Sequence, residues 1–261
     1  MPDEHGAASA LRIEREGAVL RVTLARPERR NAFDAALIRE LTDAFSHVGD
    51  ARAVVLAGEG PSFCAGADVE WQRSSIDLTY DENVEDATRL LLMLQAVDGC
   101  PAPVVARVHG YALGGGSGLV ACCDAVVAAR DAVFGFTAVK LGIIPAVISP
   151  FVLARVGSAA RRLFTTGERF DAATALRIGL VDEVADDPDA AVERVVAELL
   201  TAGPAAAREA KRLVLEPPAL DELPHLAARL RTGAEGQEGL RAFLEKRAAG
   251  DGWGVFAPRE P

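Results

Sequence analysis

The spacing of apolar and polar residues changes along the chain and predicts which segments are strands and which are helices. Residues 11–15 and 18–24 alternate with a period of two about a short turn, as in a β-hairpin. Behind Asp34, a residue suited to an N-cap, apolar residues recur at helical spacing as far as residue 48. Residues 53–57 are all apolar, which is typical of a strand buried on both faces.

The middle of the chain repeats this alternation of strands and helices. Residues 69–80 are polar and irregular and predict a loop, whereas residues 81–97 carry an amphipathic helical pattern. Further strands or short extended segments are expected at 103–106, 125–129, 133–136 and 181–184. Short helices are expected over 150–180, interrupted by Gly157, Gly167 and Gly179.

From Pro188 onward the pattern is helical, with helices expected at 188–202, 204–215, 219–232 and 236–248. Alternating strands and helices followed by a helical end predict an α/β core with an α-helical C-terminal subdomain. We therefore expect a loose N-terminal tail at 1–10, a core at 11–187, a helical subdomain at 188–249 and a mobile tail at 250–261.

Composition narrows the functional classes. The 261 residues carry a net charge of −10 at a pI near 5.0, which argues against a nucleic-acid-binding protein with a basic face. The four cysteines, Cys64, Cys100, Cys122 and Cys123, lack the spacing of a metal site or a disulfide scaffold, so we expect reduced thiols in a cytoplasmic protein without a metal.

No membrane-directed segment is expected. The first ten residues include Asp3, Glu4 and His5 and do not resemble a secretory leader. The longest uncharged stretch, residues 141–154, is too short to span a bilayer and contains two prolines. We interpret it as a buried wall.

The chemistry of the chain centres on a glycine cluster. Gly114, Gly115 and Gly116 stand just before a helix predicted to begin near Leu119. Backbone N–H groups at glycines can approach a ligand closely, and a helix start adds unpaired donors that favour a negative atom. The GGGSG spacing is neither a dinucleotide fingerprint nor a phosphate loop. The cluster is therefore either an oxyanion pocket or a tight turn.

A second glycine loop, FCAGAD at 63–68, follows the buried strand. Together, AGAD and the HGYALGGG segment at 109–116 resemble the crotonase superfamily, the enoyl-CoA hydratase/isomerase family. Further matching segments are RPERRNAF at 26–33, LGIIP at 141–145, GLVDEV at 179–184 and EGLRAFLEKR at 238–247. The resemblance implies a crotonase-like ββα spiral core with an acyl-CoA site, and a helical C-terminal subdomain that assembles homotrimers or dimers of trimers.

The resemblance also implies the binding groups. The backbone N–H groups of Ala67 and Gly115 are expected to bind the thioester oxygen, and losing one such donor typically raises the barrier by ~3–4 kcal/mol. We expect glycine at 115 to leave room for the carbonyl. Other expected substrate contacts are Ala65, Gly66, Asp68, Tyr111, Leu113, Gly114, Gly118, Thr137, Ala138 and Leu141. The phosphates of CoA are expected near Arg26, Arg29, Arg30 and Lys246; CoA enters as part of the substrate, with no separate cofactor.

The catalytic carboxylates of the family's hydratases are missing. Relatives carry two glutamates, at the positions of Gly118 and Ala138. The segment PAVISPF at 145–151 resembles the branch that acts on methylglutaconyl-CoA or carboxygeranoyl-CoA, which also has glycine at position 118. That branch nevertheless keeps a glutamate at position 138.

Three functions remain open. The protein could be an enoyl-CoA hydratase whose base is another residue, with these candidates: Glu70, Asp77, Asp81, Glu82, Glu85, Tyr111 and Thr137. It could be a decarboxylase or isomerase that uses the oxyanion hole alone, or a non-catalytic acyl-CoA-binding protein. A nucleophilic pair of Cys64 and His109 is less expected than a structural histidine. We favour the hydratase.

Overall fold

The computed structural model describes residues 9–250 and 252–254. Its strands are β1 (Leu11–Glu16), β2 (Val19–Leu24), β3 (Ala53–Gly58), β4 (Val104–Val108), β5 (Tyr111–Leu113), β6 (Ala125–Ala129), β7 (Val133–Gly135), β8 (Arg169–Asp171) and β9 (Glu183–Ala185). Within this described part, a six-stranded sheet has the order β1-β2-β3-β4-β6-β9, and a three-stranded sheet has the order β5-β7-β8. The β1–β2 and β7–β8 pairs are antiparallel and the other pairs are parallel.

The helices surround these two mixed sheets. They are α1 (Ala35–Ser46), α2 (Val69–Ser74), α3 (Tyr80–Asp98), α4 (Gly115–Ala121), α5 (Ser149–Val156), α6 (Ala160–Thr166), α7 (Ala172–Arg177), α8 (Pro188–Thr201), α9 (Pro204–Leu215), α10 (Leu223–Thr232) and α11 (Ala234–Glu245). Single 3-10 turns lie at Pro27–Arg29, Thr137–Leu141 and Gly157–Ala159. The expected α/β core and C-terminal helices are confirmed. Nowhere in the described chain is a helix both long and apolar enough to cross a membrane.

The larger sheet is covered on both faces, which explains its uniformly apolar central strands. One face of β3 contributes Val54 and Leu56 to the main core. The opposite face contributes Ala53 and Val55 to a second cluster under α8. Because both faces of β3 are buried, apolar and polar residues do not alternate along it, whereas they do alternate in the β1–β2 hairpin.

Most of the predicted elements are confirmed. The β1–β2 hairpin forms with Leu11 opposite Leu24. The Asp34 side chain caps α1 by accepting a hydrogen bond of 2.9 Å from the Leu37 N–H. The C-terminal helices occur where periodicity predicts them, although α10 and α11 are shorter than expected.

Four expectations were wrong. Residues 69–80 contain α2, capped by Asp68, rather than only a loop. Helix α4 begins at Gly115 instead of Leu119, because burial of the whole helix outweighs the low helix propensity of glycine. The short strands β5 and β8 were not anticipated. The uncharged stretch 141–154 is not a uniformly buried wall, since Leu141, Ile143 and Ile144 are 61%, 57% and 72% exposed.

The described parts of the two expected tails contact the body of the protein. Ala10 is buried and its carbonyl accepts a hydrogen bond of 2.8 Å from the Ala25 N–H. At the other end, the Gly254 N–H donates to the Thr201 carbonyl at 2.7 Å. Residues 1–8, 251 and 255–261, which belong to the expected tails, lie outside the described residues.

Candidate active site

The two glycine loops run side by side. The Phe63 N–H donates to the His109 carbonyl, and the Cys64 N–H donates to the Tyr111 carbonyl, both at 2.9 Å. In return, the Leu113 N–H donates to the Cys64 carbonyl at 3.0 Å. This short parallel pairing brings two segments that are about fifty residues apart in the chain to the same place.

A third segment locks the first loop from its other side. The Phe33 N–H donates to the Gly66 carbonyl at 2.7 Å, and the Asp68 N–H donates to the Phe33 carbonyl at 2.8 Å. Ala67 lies between these two bonds, and its own N–H takes no part in them. The backbone around Ala67 is therefore fixed without using the Ala67 N–H.

Glycines are required because these backbones touch. A Cβ at Gly116 would lie 2.4 Å from the Cys64 carbonyl oxygen, and one at Gly66, where φ is +96°, would lie 2.8 Å from the Leu113 oxygen. A Cβ at Gly115 would lie 2.9 Å from Cε2 of Phe33. The expectation that Gly115 leaves space for a carbonyl is thus incomplete, because the Phe33 ring already excludes a side chain there.

The Ala67 and Gly115 N–H groups are among the backbone donors of these loops that lack an acceptor in the described part of the chain. Within the described residues, neither the Ala67 N–H nor the Gly115 N–H has a hydrogen-bond acceptor. Gly115 is the first residue of α4, so its N–H has no partner within the helix. Both residues line one cavity of about 340 Å³, near the lower end of the range of ~300–1,000 Å³ usual for ligand pockets. The two N–H groups thus belong to residues of the same cavity.

The cavity has a backbone wall and a side-chain wall. The backbone wall consists of residues 65–67 and 114–115. The side-chain wall consists of residues from α2, α3 and the segment 137–148: Trp71, Gln72, Ser75, Asn83, Asp86, Ala87, Leu90, Thr137, Ala138, Leu141, Ile143, Ile144, Pro145, Ala146, Val147 and Ile148.

The expected site residues divide into two groups. Those that line the cavity are Ala65, Gly66, Ala67, Gly114, Gly115, Thr137, Ala138 and Leu141. Those that lie outside its lining are Arg26, Arg29, Arg30, Asp68, Tyr111, Leu113, Gly118 and Lys246. Tyr111 and Leu113 belong to β5, where Arg169 lies 5.7 Å from the centre of the Tyr111 ring.

The first arginine of the expected CoA-binding group braces the loops. The Arg26 guanidinium donates to the Ala32 carbonyl at 2.9 Å and pairs with Asp34 at 2.8 Å. Its other nitrogen lies 3.6 Å from Asp68, whose carboxylate also caps α2. Arg26 and Asp68 therefore hold the first glycine loop in place.

The remaining basic residues are exposed near turns. Arg29 lies 3.7 Å from Asp68 and is half exposed. Arg30 adopts a left-handed conformation after the 3-10 turn, and Lys246 does so at the end of α11. These side chains are accessible to a phosphate in solution.

The two positions at which hydratases carry glutamate differ sharply. A Cβ at Gly118 would lie 2.3 Å from Cγ2 of Ile148, so the position is closed. Ala138, in contrast, is half buried and lines the cavity. The space of one glutamate is occupied by an aliphatic side chain, while that of the other remains open.

The acids proposed from the sequence lie outside the cavity lining. Glu70 pairs with Arg73 at 2.9 Å on the surface. Glu82 belongs to the capping box of α3, where hydrogen bonds from Thr79 lower the pKa of its carboxyl. Glu85 lies 3.8 Å from Arg89 and is exposed. Asp77, Asp81 and Tyr111 do not line the cavity either, which leaves only Thr137 of the candidates.

Asp86 was missed by the sequence reasoning. It lies on α3 beside Asn83, Ala87 and Leu90, and all four line the cavity. These residues share one face of α3 with the buried Leu94, but Asn83 and Ala87 are exposed. The sequence pattern therefore gave no signal that separates Asp86 from the other acids of this helix.

Cys64 and His109 do not form a nucleophilic pair. The His109 ring is held between the Arg107 guanidinium and the Gly60 carbonyl, each at 2.8 Å. Burial raises the pKa of the Cys64 thiol to about 12. His109 is thus structural, and Cys64 stays protonated at neutral pH. Among residues 9–250 and 252–254, no group of three or more His, Cys, Asp or Glu side chains is arranged to hold a metal ion.

Comparison with known proteins agrees with this geometry. The family described as enoyl-CoA hydratase/isomerase matches residues 14–251. The cyclohexa-1,5-dienecarbonyl-CoA hydratase of Thauera aromatica is 33% identical over 265 aligned residues, which cover 93% of this chain and 97% of the relative.

Solved structures give the same result. An enoyl-CoA hydratase from Shewanella pealeana superimposes with a TM-score of 0.86 at 36% identity, covering 92% of this chain and 95% of the other. AtuE of Pseudomonas aeruginosa superimposes with a TM-score of 0.86 at 37% identity, covering 91% and 97%. With its two glycine loops joined around one cavity, this chain belongs to the crotonase superfamily as a member of the enoyl-CoA hydratase/isomerase family.

Proposed function

We propose that this protein adds water to the double bond of an enoyl-CoA thioester. The observation that carries the proposal is the pair of unused N–H groups, Ala67 and Gly115, which line the same small cavity. The enoyl-CoA hydratases among its relatives support hydration over other reactions of acyl-CoA thioesters.

The oxyanion hole lowers the barrier by stabilising the enolate. Attack of water at Cβ moves negative charge onto the thioester oxygen, and that oxygen would accept hydrogen bonds from Ala67 and Gly115. Donors that are fixed before the reaction need no reorganisation as the charge develops, and one donor is typically worth ~3–4 kcal/mol. Here Phe33 and Leu113 hold the two loops in position.

The lining favours a short, neutral acyl group. Within the described residues, no lysine or arginine lines the cavity, so a second carboxylate on the acyl chain would lack a cation there. Crotonyl-CoA fits this description. Methylglutaconyl-CoA, which carries such a carboxylate, is the second candidate substrate, because residues 145–151 resemble the branch that acts on it.

We further propose that CoA and the assembly use surfaces outside the cavity. Exposed Arg29, Arg30 and Lys246 would contact the phosphates of CoA. The helical subdomain at 188–249 would form a homotrimer or a dimer of trimers, because apolar side chains such as Val214, Leu220 and Leu244 are exposed on it. Sedimentation is expected to show a trimer or hexamer, and a monomer would contradict this assembly. The four buried thiols support a cytoplasmic location.

The reaction is tested by incubating the protein separately with crotonyl-CoA, methylglutaconyl-CoA and methylmalonyl-CoA and following the mass of each thioester. Gain of one water by crotonyl-CoA is the expected result. Loss of carbon dioxide from methylmalonyl-CoA without hydration of either enoyl-CoA would instead establish decarboxylation by the oxyanion hole alone. Binding of all three compounds without a change in mass would establish a non-catalytic acyl-CoA-binding protein.

A further inference from the structure

We propose that Asp86 is the acid/base residue of this site, an inference that rests on the proposed hydration. Among the described residues that line the cavity, Asp86 is the only one with an ionisable side chain. It therefore stands in place of the glutamates that are absent at Gly118 and Ala138. It does so from a different element, since neither of those positions belongs to α3.

Asp86 is partly buried on the face of α3 that lines the cavity. Asn83, Asp86, Ala87 and Leu90 share one face of the helix, at the spacing of successive turns. One turn further on, Leu94 continues this face into the hydrophobic core. Beside the cavity this face is partly open, since Asn83 and Ala87 are exposed while Asp86 and Leu90 are partly buried.

The carboxyl group is held but keeps one oxygen available. The Asp86 side chain is 16% exposed, and its Oδ1 accepts a hydrogen bond from the half-exposed Arg89 guanidinium. Within the described part of the chain, Oδ2 has no hydrogen-bond partner. Arg89 fixes the orientation of the carboxylate from the solvent side, so Oδ2 is available for a proton.

Asp86 lines the same cavity as the two oxyanion donors. The oxyanion donors lie on the backbone wall, and Asp86 lies on the side-chain wall formed by α3. A short acyl chain bound at its carbonyl by these donors would share this cavity of about 340 Å³ with Asp86. The proposed role requires the α and β carbons, which follow the carbonyl, to come within reach of the Asp86 carboxyl.

The reaction balances with this single group. Asp86 removes a proton from water as the water oxygen bonds to Cβ. The π electron pair of the double bond moves toward the carbonyl and forms an enolate, whose oxygen is bound by Ala67 and Gly115. The protonated Asp86 then delivers a proton to Cα, and the enolate electrons form the new C–H bond. One water is consumed, and Asp86 returns to its carboxylate form.

The test compares Asp86→Asn with Glu85→Gln in the full-length protein, using crotonyl-CoA. Both changes remove a carboxylate partner of Arg89, but only Asp86 lines the cavity. Asp86→Asn is expected to lower kcat by about 10²–10⁴-fold with little change in KM, since a proton transfer is lost and binding is kept. Glu85→Gln is expected to keep kcat within about twofold of the wild type, since an exposed ion pair contributes little.

A second variant separates catalysis from a structural role. Asp86→Ala opens space for a small acid, so added formate is expected to restore part of kcat in that variant and not in wild type. Asp86→Asn with the turnover of the wild type would overturn the assignment. Loss of kcat without rescue by formate would also overturn it, because Asp86 would then act only through packing.

The same measurements distinguish the two proposals. If the wild type does not hydrate crotonyl-CoA or methylglutaconyl-CoA, the proposed function fails, and Asp86 has no proton transfer to perform. If the wild type hydrates and Asp86→Asn hydrates equally well, the function stands and only the role of Asp86 fails.

Discussion

The backbone wall and the side-chain wall of the cavity are built on opposite physical principles. The backbone wall consists of glycine-rich segments in direct contact, where an added Cβ at Gly66 or Gly115 would meet neighbouring atoms. The side-chain wall contains exposed residues such as Ile143 and Ile144. The first wall fixes backbone donors in place. In the second wall, side chains can be substituted without disturbing the backbone, and such substitutions would alter which acyl group fits.

The two positions that lack the glutamates, Gly118 and Ala138, differ in the same way. Gly118 belongs to α4, the helix that starts at the backbone wall, and is covered by Ile148. Ala138 belongs to the side-chain wall. Restoring a carboxylate should therefore disrupt the structure at the first position and be tolerated at the second.

Gly118→Glu is expected to have the largest effect on stability. Its side chain would clash with Ile148 and place an unpaired charge among buried residues, so the free energy of unfolding should fall by about 4 kcal/mol or more. Urea denaturation measures the change. The double variant with Ile148→Ala should be less destabilised than the sum of the two single changes, because the clash is relieved. If Gly118→Glu has the same free energy of unfolding as the wild type, α4 is able to shift and accommodate the new side chain.

Ala138→Glu is expected to change the free energy of unfolding by about 1 kcal/mol or less, since residue 138 is only half buried and faces the cavity. The new carboxylate should raise kcat for crotonyl-CoA by about tenfold or more in the Asp86→Asn background, because it restores a proton carrier. Ala138→Gln, of the same size but without an ionisable group, is the control. Equal activity of the two variants would mean that the gain does not come from proton transfer.

Ile144→Ser is expected to have the smallest effect. Ile144 is largely exposed although it lines the cavity, so the free energy of unfolding should change by about 0.5 kcal/mol or less. The KM for crotonyl-CoA should rise by about fourfold at most, the equivalent of one apolar carbon. Steady-state kinetics and urea denaturation on the same preparation test both values. A large loss of stability would show that the side-chain wall is as constrained as the backbone wall.

Much of the fold was predictable because its signals are local. Alternation defines the β1–β2 hairpin, uniform apolar residues define β3, and Asp34 marks the start of α1. The short strands β5 and β8 gave no such signal. Each has three residues, and it is pairing with the central β7 that makes them strands.

The candidate site was predictable only in part. The glycine loops were visible as motifs, and the resemblance placed Ala67 and Gly115 together. Local rules could not show that Phe33 excludes a side chain at Gly115, or that Ile148 occupies the space beside Gly118. They also could not separate Asp86 from the exposed acids around it, because all lie on one helix with similar composition.

By itself, the sequence determined the alternation of strands and helices, the motifs of the two glycine loops and the absence of the usual glutamates. Those properties depend on residues close together in the chain. The tertiary structure decided which backbone donors stay unused, which missing glutamate position is still open and which carboxylate faces the cavity. Each of these depends on contacts between distant segments, since an N–H is unused, and a space is open, only in relation to what packs against it.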